Sequence, residues 1–231
     1  MGRIITIKNN KGGVGKSFIT SQLAAGLAYA DKNVLILTSD SQNNIFNFLY
    51  TGDKNFKKGL KSEVSKGDGE YFRLRDNLYF LPLEDSIFST QFLKKLPEYL
   101  EKVKEQYDYI LIDGTPVLKL DSVFIDKSDS IIIPSFADQI TTESILELLK
   151  TIDVTKVKAI ITNKYKSTAI QKENFEILKN TLDGTGILFT DPIENLAFIE
   201  MMIQSRKTVW EYKNKTVTKV QQILLEILQS I

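Results

Sequence analysis

A chain of 231 residues, 42% apolar and 26% charged, has the make-up of a soluble globular protein and is long enough to bury a substantial core. It contains no cysteine and no histidine, which excludes disulfides, iron–sulfur clusters, thiolate metal sites and imidazole chemistry; acid–base work falls to carboxylates, lysines, tyrosines or bound water. With a formal net charge of +1, any binding to nucleic acid or lipid must rest on a local patch and not on the global field.

The first element is a β-type run over residues 3–8. A strand this early, and no run of about 18 apolar residues, lead us to expect a cytoplasmic chain with neither signal peptide nor membrane span. Lys11-Gly12-Gly13-Val14-Gly15-Lys16-Ser17 follows at once, and residues 18–28, beginning with Phe18, carry apolar side chains at helical spacing. Strand, glycine-rich loop and helix in that order form a phosphate-binding loop. Gly12, Gly13 and Gly15 let the backbone N–H groups turn inward, and the helix adds its positive N-terminal end. Lys16 is then placed to reach the β- and γ-phosphates, and the Ser17 hydroxyl to ligate Mg²⁺. The residue five before Gly15 is Asn10 where the general motif has glycine, and a second lysine, Lys11, opens the loop. That two-lysine form is narrower than the general motif. Residues 11–18 make up the expected cofactor-binding set.

The apolar run 34–37 fits a strand covered on both faces and completes a βαβ unit. It leads into Thr38-Ser39-Asp40-Ser41-Gln42-Asn43-Asn44. Two readings stand for Asp40: a turn or helix-cap carboxylate, or a group facing a γ-phosphate and orienting the attacking water. Residues 51–70, with five lysines and four glycines, read as an exposed, mobile insertion. Strand-like runs at 78–81, 109–112, 130–133 and 157–161 then alternate with helical stretches at 90–106, 141–151 and 168–181. Such alternation predicts an α/β fold with one doubly wound, mostly parallel sheet and helices on both faces, as a single domain over 1–231. The 109–112 run ends in Asp113, followed by Gly114-Thr115-Pro116. In P-loop proteins such an Asp holds the Mg²⁺ or its water, so Ser17, Asp40 and Asp113 are the expected metal oxygens. Near the end, Arg206, Lys207, Lys213, Lys215 and Lys219 stand against one acid, Glu211. This is either a solvated helix surface or a patch that neutralises DNA phosphates. Apolar positions 217, 220, 223, 224, 227, 228 and 231 share one helical face.

Together these residues resemble the ParA/MinD group of deviant Walker-A ATPases, and its ParA branch more closely. The resemblance runs over most of the chain. It is carried by the 11–17 loop, Asp40-Ser41-Gln42, Asp113-Gly114-Thr115-Pro116, Ile133-Pro134 and Thr208-Val209-Trp210-Glu211-Tyr212. It implies an ATP- and Mg²⁺-dependent hydrolase in which Lys11 crosses a homodimer interface to the partner's nucleotide. Lys16 would bind phosphate, Asp40 would position water, Asp113 would be the Walker-B carboxylate and Asn163 would contact adenine. It further implies a partition role: the ATP dimer binds nonspecific DNA on the nucleoid, and a ParB-type centromere-binding partner stimulates hydrolysis. A separate N-terminal DNA-binding domain is not expected. The sequence departs from the family at Thr38 (usually Asp), Ser41 (usually Pro) and Asn43 (usually Gly), and it has no arginine in 191–196. The alternatives are a MinD-like membrane ATPase and a nucleotide-binding scaffold with little hydrolysis. Against the membrane reading, residues 221–231 carry no Lys or Arg.

Overall fold

Apolar residues of the central strands alternate between two sheet faces, and that period-two pattern dictates the layers. The computed structural model describes residues 1–115 and 118–231; Pro116 of the predicted motif lies outside them. Five parallel strands form the centre: β1 (Arg3–Ile7), β2 (Val34–Thr38), β5 (Tyr109–Asp113), β6 (Ser130–Ser135) and β7 (Val157–Thr162). At one edge lie β3 (Phe72–Arg75) and β4 (Leu78–Phe80), and at the other β8 (Leu188–Phe189). The order among the described residues is β3-β4-β2-β5-β1-β6-β7-β8. Every pairing is parallel except β3 with β4. This is the predicted doubly wound sheet.

Ile5, Ile7, Val34, Ile36, Leu111, Ile132 and Ile161 face one side, where α1 (Lys16–Tyr29) and α9 (Lys215–Gln229) pack with α2 (Ile45–Leu49) and α8 (Ala197–Gln204). Their neighbours Ile4, Leu35, Leu37, Ile110 and Ile112 face the other side, under α4 (Thr90–Val103) and α5 (Leu118–Lys127). Ile131, Ile133 and Ile160 continue that side under α6 (Gln139–Thr151) and α7 (Ala169–Leu182). Helix α1 is buried from Phe18 to Ala28 because the sheet and α9 enclose it. The 208–212 segment docks on it: Trp210 Nε1 donates to the Gln22 carbonyl at 2.7 Å and the Val209 amide to Gln22 Oε1 at 2.9 Å. Gly26 permits that approach, since a Cβ there would stand 2.7 Å from the Trp210 ring.

One expectation changes. The 51–70 stretch is not a loop throughout. It carries α3 (Leu60–Lys66), whose Leu60 is fully buried, and Glu84 accepts from the amides of Gly59, Lys61 and Ser62 at 2.7–2.9 Å. Those donors are the ones a helix N-terminus leaves without intrahelical partners. The apolar C-terminal face becomes α9 as expected, with Val217, Val220, Ile223, Leu224 and Ile227 in the core.

Candidate nucleotide site

The site lies at the carboxyl ends of the parallel strands, beside β1, where successive connections leave in opposite directions. Open α/β sheets place ligands at such points. A cavity of about 650 Å³ there is lined by the loop residues Gly12, Gly13, Gly15, Lys16 and Ser17, by Asp40, Asp113 and Thr115, and by Asn163. Phe18, Phe48, Leu196, Ile199 and Ile203 give it an apolar wall between α2 and α8.

The loop turns as its glycines dictate. Gly15 caps α1 at φ 97°, and a Cβ on it would fall 2.1 Å from Asn163 Nδ2, which donates to the Val14 carbonyl at 3.1 Å. Asn163, at the end of β7, is thereby held against the underside of the loop. Lys16 Nζ donates to the Lys11 carbonyl at 3.0 Å. Burial lowers the Lys16 pKa, while the Asp113 carboxylate opposes the shift. Lys11 is half-buried, its amide donates to Asn9 Oδ1 at 2.8 Å, and its side chain is not part of the cavity lining.

Ser17 Oγ donates to Asp113 Oδ2 at 2.7 Å. Burial pushes the Asp113 carboxyl up to about 7, against the Ser17 hydroxyl and the Lys16 charge that favour its ionised form. Its Oδ1 is buried without a hydrogen-bond partner among the described residues. Hard oxygen donors and an orphaned carboxylate oxygen fit Mg²⁺, which uses one or two protein oxygens and completes its shell with water and phosphate. Among the described residues no group of three or more His, Cys, Asp or Glu could hold a metal ion.

Asp40 reaches the cavity, yet it also holds its own turn: Oδ1 accepts from the Gln42 amide at 2.9 Å and Oδ2 from Asn44 Nδ2 at 3.2 Å. Asp40 thus makes the contacts of a turn carboxylate and also lines the cavity.

Residues 2–167 match a family model described as an AAA domain. The Bacillus subtilis sporulation initiation inhibitor protein Soj is 31% identical over 166 residues, covering 66% of this chain and 65% of Soj. The Myxococcus xanthus chromosome partitioning protein ParA is 29% identical over 182 residues, covering 68% of this chain and 60% of that protein. The match therefore spans just under two thirds of the length of these relatives. A Borrelia burgdorferi protein assigned to plasmid partition, solved with AMPPNP bound, superposes with a TM-score of 0.78 at 26% identity over all of both chains. The chain belongs to the ParA/MinD family of P-loop ATPases.

The departures from the ParA/MinD pattern have local explanations. Asn43, where the family has glycine, sits at φ 48°, a left-handed conformation that glycine adopts freely and asparagine tolerates. Its side chain bonds both the amide and the carbonyl of Leu83, at 2.8 and 2.9 Å. Thr38, where the family has Asp, ties the end of β2 together: its hydroxyl donates to the Asp113 carbonyl at 3.2 Å and accepts from the Asp40 amide at 3.0 Å.

The basic patch is less free than its sequence suggests. Arg206 turns inward and donates to the carbonyls of Asn47 and Ile203, satisfying groups at the ends of α2 and α8. Lys219 pairs with Glu194 at 2.8 Å. Lys207 lies over the Tyr212 ring at 5.5 Å, and Lys213 and Lys215 are exposed, with no ion pair among the described residues. Sequence reasoning missed the α2–α8 wall, because Phe48 and Ile199 sit on short elements with no motif.

Proposed function

We propose that residues 1–231 act as one ATPase domain of the partition type. ATP bound at the 11–18 loop favours a homodimer, the dimer binds DNA without sequence preference, and a ParB-type partner accelerates hydrolysis and release. The observation that carries the reading is the Ser17–Asp113 pair, with its unpartnered buried oxygen, at the mouth of a P-loop cavity. Lys16 and the loop amides hold phosphate, and Asp40 orients water. When bound, Mg²⁺ neutralises charge on the β- and γ-phosphates. Lys11, whose side chain is not among the residues lining its own cavity, serves the nucleotide of the second protomer. Loss of the γ-phosphate removes the contacts that join the protomers, which is the usual logic of a nucleotide switch.

The kinship with Soj and ParA supports the partition role over other nucleotide chemistry. The membrane alternative needs an unpacked, basic-flanked amphipathic helix, whereas the apolar face of α9 is spent on the core. No described helix is long and apolar enough to cross a membrane. The test is ATP turnover with and without Mg²⁺ and duplex DNA, beside sedimentation in ATP and ADP. Mg²⁺-dependent turnover with an ATP-specific dimer is expected. A monomer in ATP, or no turnover, overturns the reading, and ATP-driven oligomers without hydrolysis favour the scaffold.

A further inference from the structure

Lys8 follows β1 and would be expected to reach for solvent, yet it is only 5% exposed. Its ammonium donates to the Asp121 carboxylate on α5 and to the Thr115 carbonyl at 3.0 Å. Asp121 is 4% exposed, and its Oδ1 has no hydrogen-bond partner among the described residues. Burying two charges costs the hydration of both, and a well-packed apolar pair of similar volume is often as stable or more so. Packing alone therefore gives no reason for an ion pair here.

What the pair grips is informative. Thr115 lines the nucleotide cavity two residues after Asp113. Its amide donates to Ser39 Oγ at 2.7 Å, and its hydroxyl lies 3.1 Å from the same atom. Ser39 in turn donates its amide to the Asp113 carbonyl at 3.2 Å and immediately precedes Asp40. A continuous chain of contacts thus runs from Asp121 through Lys8, Thr115 and Ser39 to the turn that carries Asp40. It joins the ends of β1, β2 and β5 at the point where all three meet the cavity.

We propose that Lys8 and Asp121 are positioning residues for hydrolysis: the buried ion pair fixes the Thr115 carbonyl, and Thr115 fixes the Ser39–Asp40 turn against Asp113. The proposal rests on the reading of this cavity as an ATP hydrolysis site. The pair makes no hydrogen bond to the loop glycines or Lys16, and its two charges act on Lys16 in opposite directions, so removing both together should fall mainly on the chemical step and little on nucleotide binding. Groups that orient metal ligands from the outer shell typically cost ten- to a hundredfold in metal affinity or activity when lost, and a loss on that scale is expected here because small displacements of a reacting geometry are costly.

The experiment compares wild type with Lys8→Met, Asp121→Leu and the double variant Lys8→Met/Asp121→Leu. It reads nucleotide affinity, kcat, KM, urea stability and amide exchange at Ser39 and Thr115. Each single variant should be destabilised by the charge it leaves buried, and the double variant should regain the wild-type midpoint. The double variant should keep nucleotide affinity and KM within about threefold while kcat falls roughly ten- to a hundredfold, and exchange at Ser39 and Thr115 should quicken. A double variant with wild-type kcat would overturn the proposal, since only packing would then be at stake. A wild type without turnover would overturn the hydrolysis reading instead. In that case unchanged protection at Ser39 and Thr115 in the double variant overturns the positioning role, and quickened exchange there supports it.

Discussion

Ser17 Oγ stands 2.7 Å from Asp113 Oδ2, tying the first turn of α1 to the end of β5, while Asp113 Oδ1 remains buried and unpartnered among the described residues. The carboxylate is held by one side chain and is short of a second partner, so its burial is costly until a cation arrives. Asp113→Asn should therefore melt higher than wild type without ligand and gain less from Mg²⁺ and ATP. For wild type the gain should be about 2.7 kcal/mol at a ligand concentration one hundred times Kd. Melting curves with and without Mg²⁺-ATP check this. A variant that melts lower alone, yet shifts as wild type does, would contradict the assignment.

Lys11→Ala should separate binding from assembly. The Lys11 side chain is not among the residues lining its own cavity, and only its carbonyl meets Lys16. Nucleotide affinity should fall little, whereas the ATP dimer should disappear in sedimentation. A cation supplied in trans to a phosphoryl group is worth roughly 10³–10⁵ in rate, so stimulated turnover should drop on that scale. Persistence of the ATP dimer in the variant would remove Lys11 from the interface.

Asp40→Asn tests the water-orienting role while keeping the shorter of the two turn contacts and giving up the 3.2 Å one from Asn44 Nδ2. The amide oxygen can still accept from Gln42, whose bond to Asp40 Oδ1 is 2.9 Å, while the negative charge is gone. If Asp40 acts on water, single-turnover hydrolysis should slow by about 10²–10⁴, the usual worth of a positioned acid or base, and the ATP dimer should live longer. Wild-type hydrolysis would leave Asp40 as a turn residue only.

The parts of this fold legible in the sequence are those with local chemistry. The 11–17 loop announces itself through glycine and lysine spacing, and the central strands through short, largely apolar runs that fit a sheet covered on both faces. The edges carry no such signal. Strand β8 has two residues and β3 reads Phe-Arg-Leu-Arg, so pairing and not propensity makes them strands. Helix α8, Ala-Phe-Ile-Glu-Met-Met-Ile-Gln, is too uniformly apolar to show a period, and α2 spans barely more than one turn. Arg206 shows the limit for charge: composition placed it in a surface patch, but its guanidinium answers the Asn47 carbonyl, 159 residues away in sequence. Helix α3 likewise depends on Glu84, whose role is invisible without the fold.

That dependence on Glu84 sets a pH response. Burial tends to raise the Glu84 pKa, but the amides of Lys61, Ser62 and Gly59 outweigh it and hold the carboxyl below its usual value of 4.5. A depressed carboxylate contributes stability that is present above its unfolded pKa and lost as pH falls through the folded one. The cap should therefore weaken below about pH 4.5, the ordinary glutamate range. Glu84→Gln should cost about 1 kcal/mol at pH 7, as loss of a helix cap does, and should flatten the acid limb of the stability curve. Urea midpoints at pH 3.5, 5 and 7 decide it; parallel curves for variant and wild type would deny Glu84 this role.

DNA binding, if this surface supplies it, should be carried by fewer cations than the sequence suggests. Arg206 is committed to backbone carbonyls and Lys219 to Glu194, which leaves Lys207, Lys213 and Lys215. Three phosphate contacts per protomer make six for a dimer, and at roughly 0.9 per contact the slope of log affinity against log salt should be near −5. Lys213→Gln with Lys215→Gln should shallow that slope and weaken all duplexes alike, because phosphate contacts carry no base information. Arg206→Gln should instead lower stability, by loosening α2 from α8, and leave the slope unchanged. Binding should require ATP, since one protomer's three cations bind weakly and linkage of two patches raises the effective concentration. Salt titrations in ATP, ADP and no nucleotide make the test. Equal binding in all three states would uncouple the patch from the nucleotide, and a slope that falls with Arg206→Gln would return Arg206 to the DNA surface.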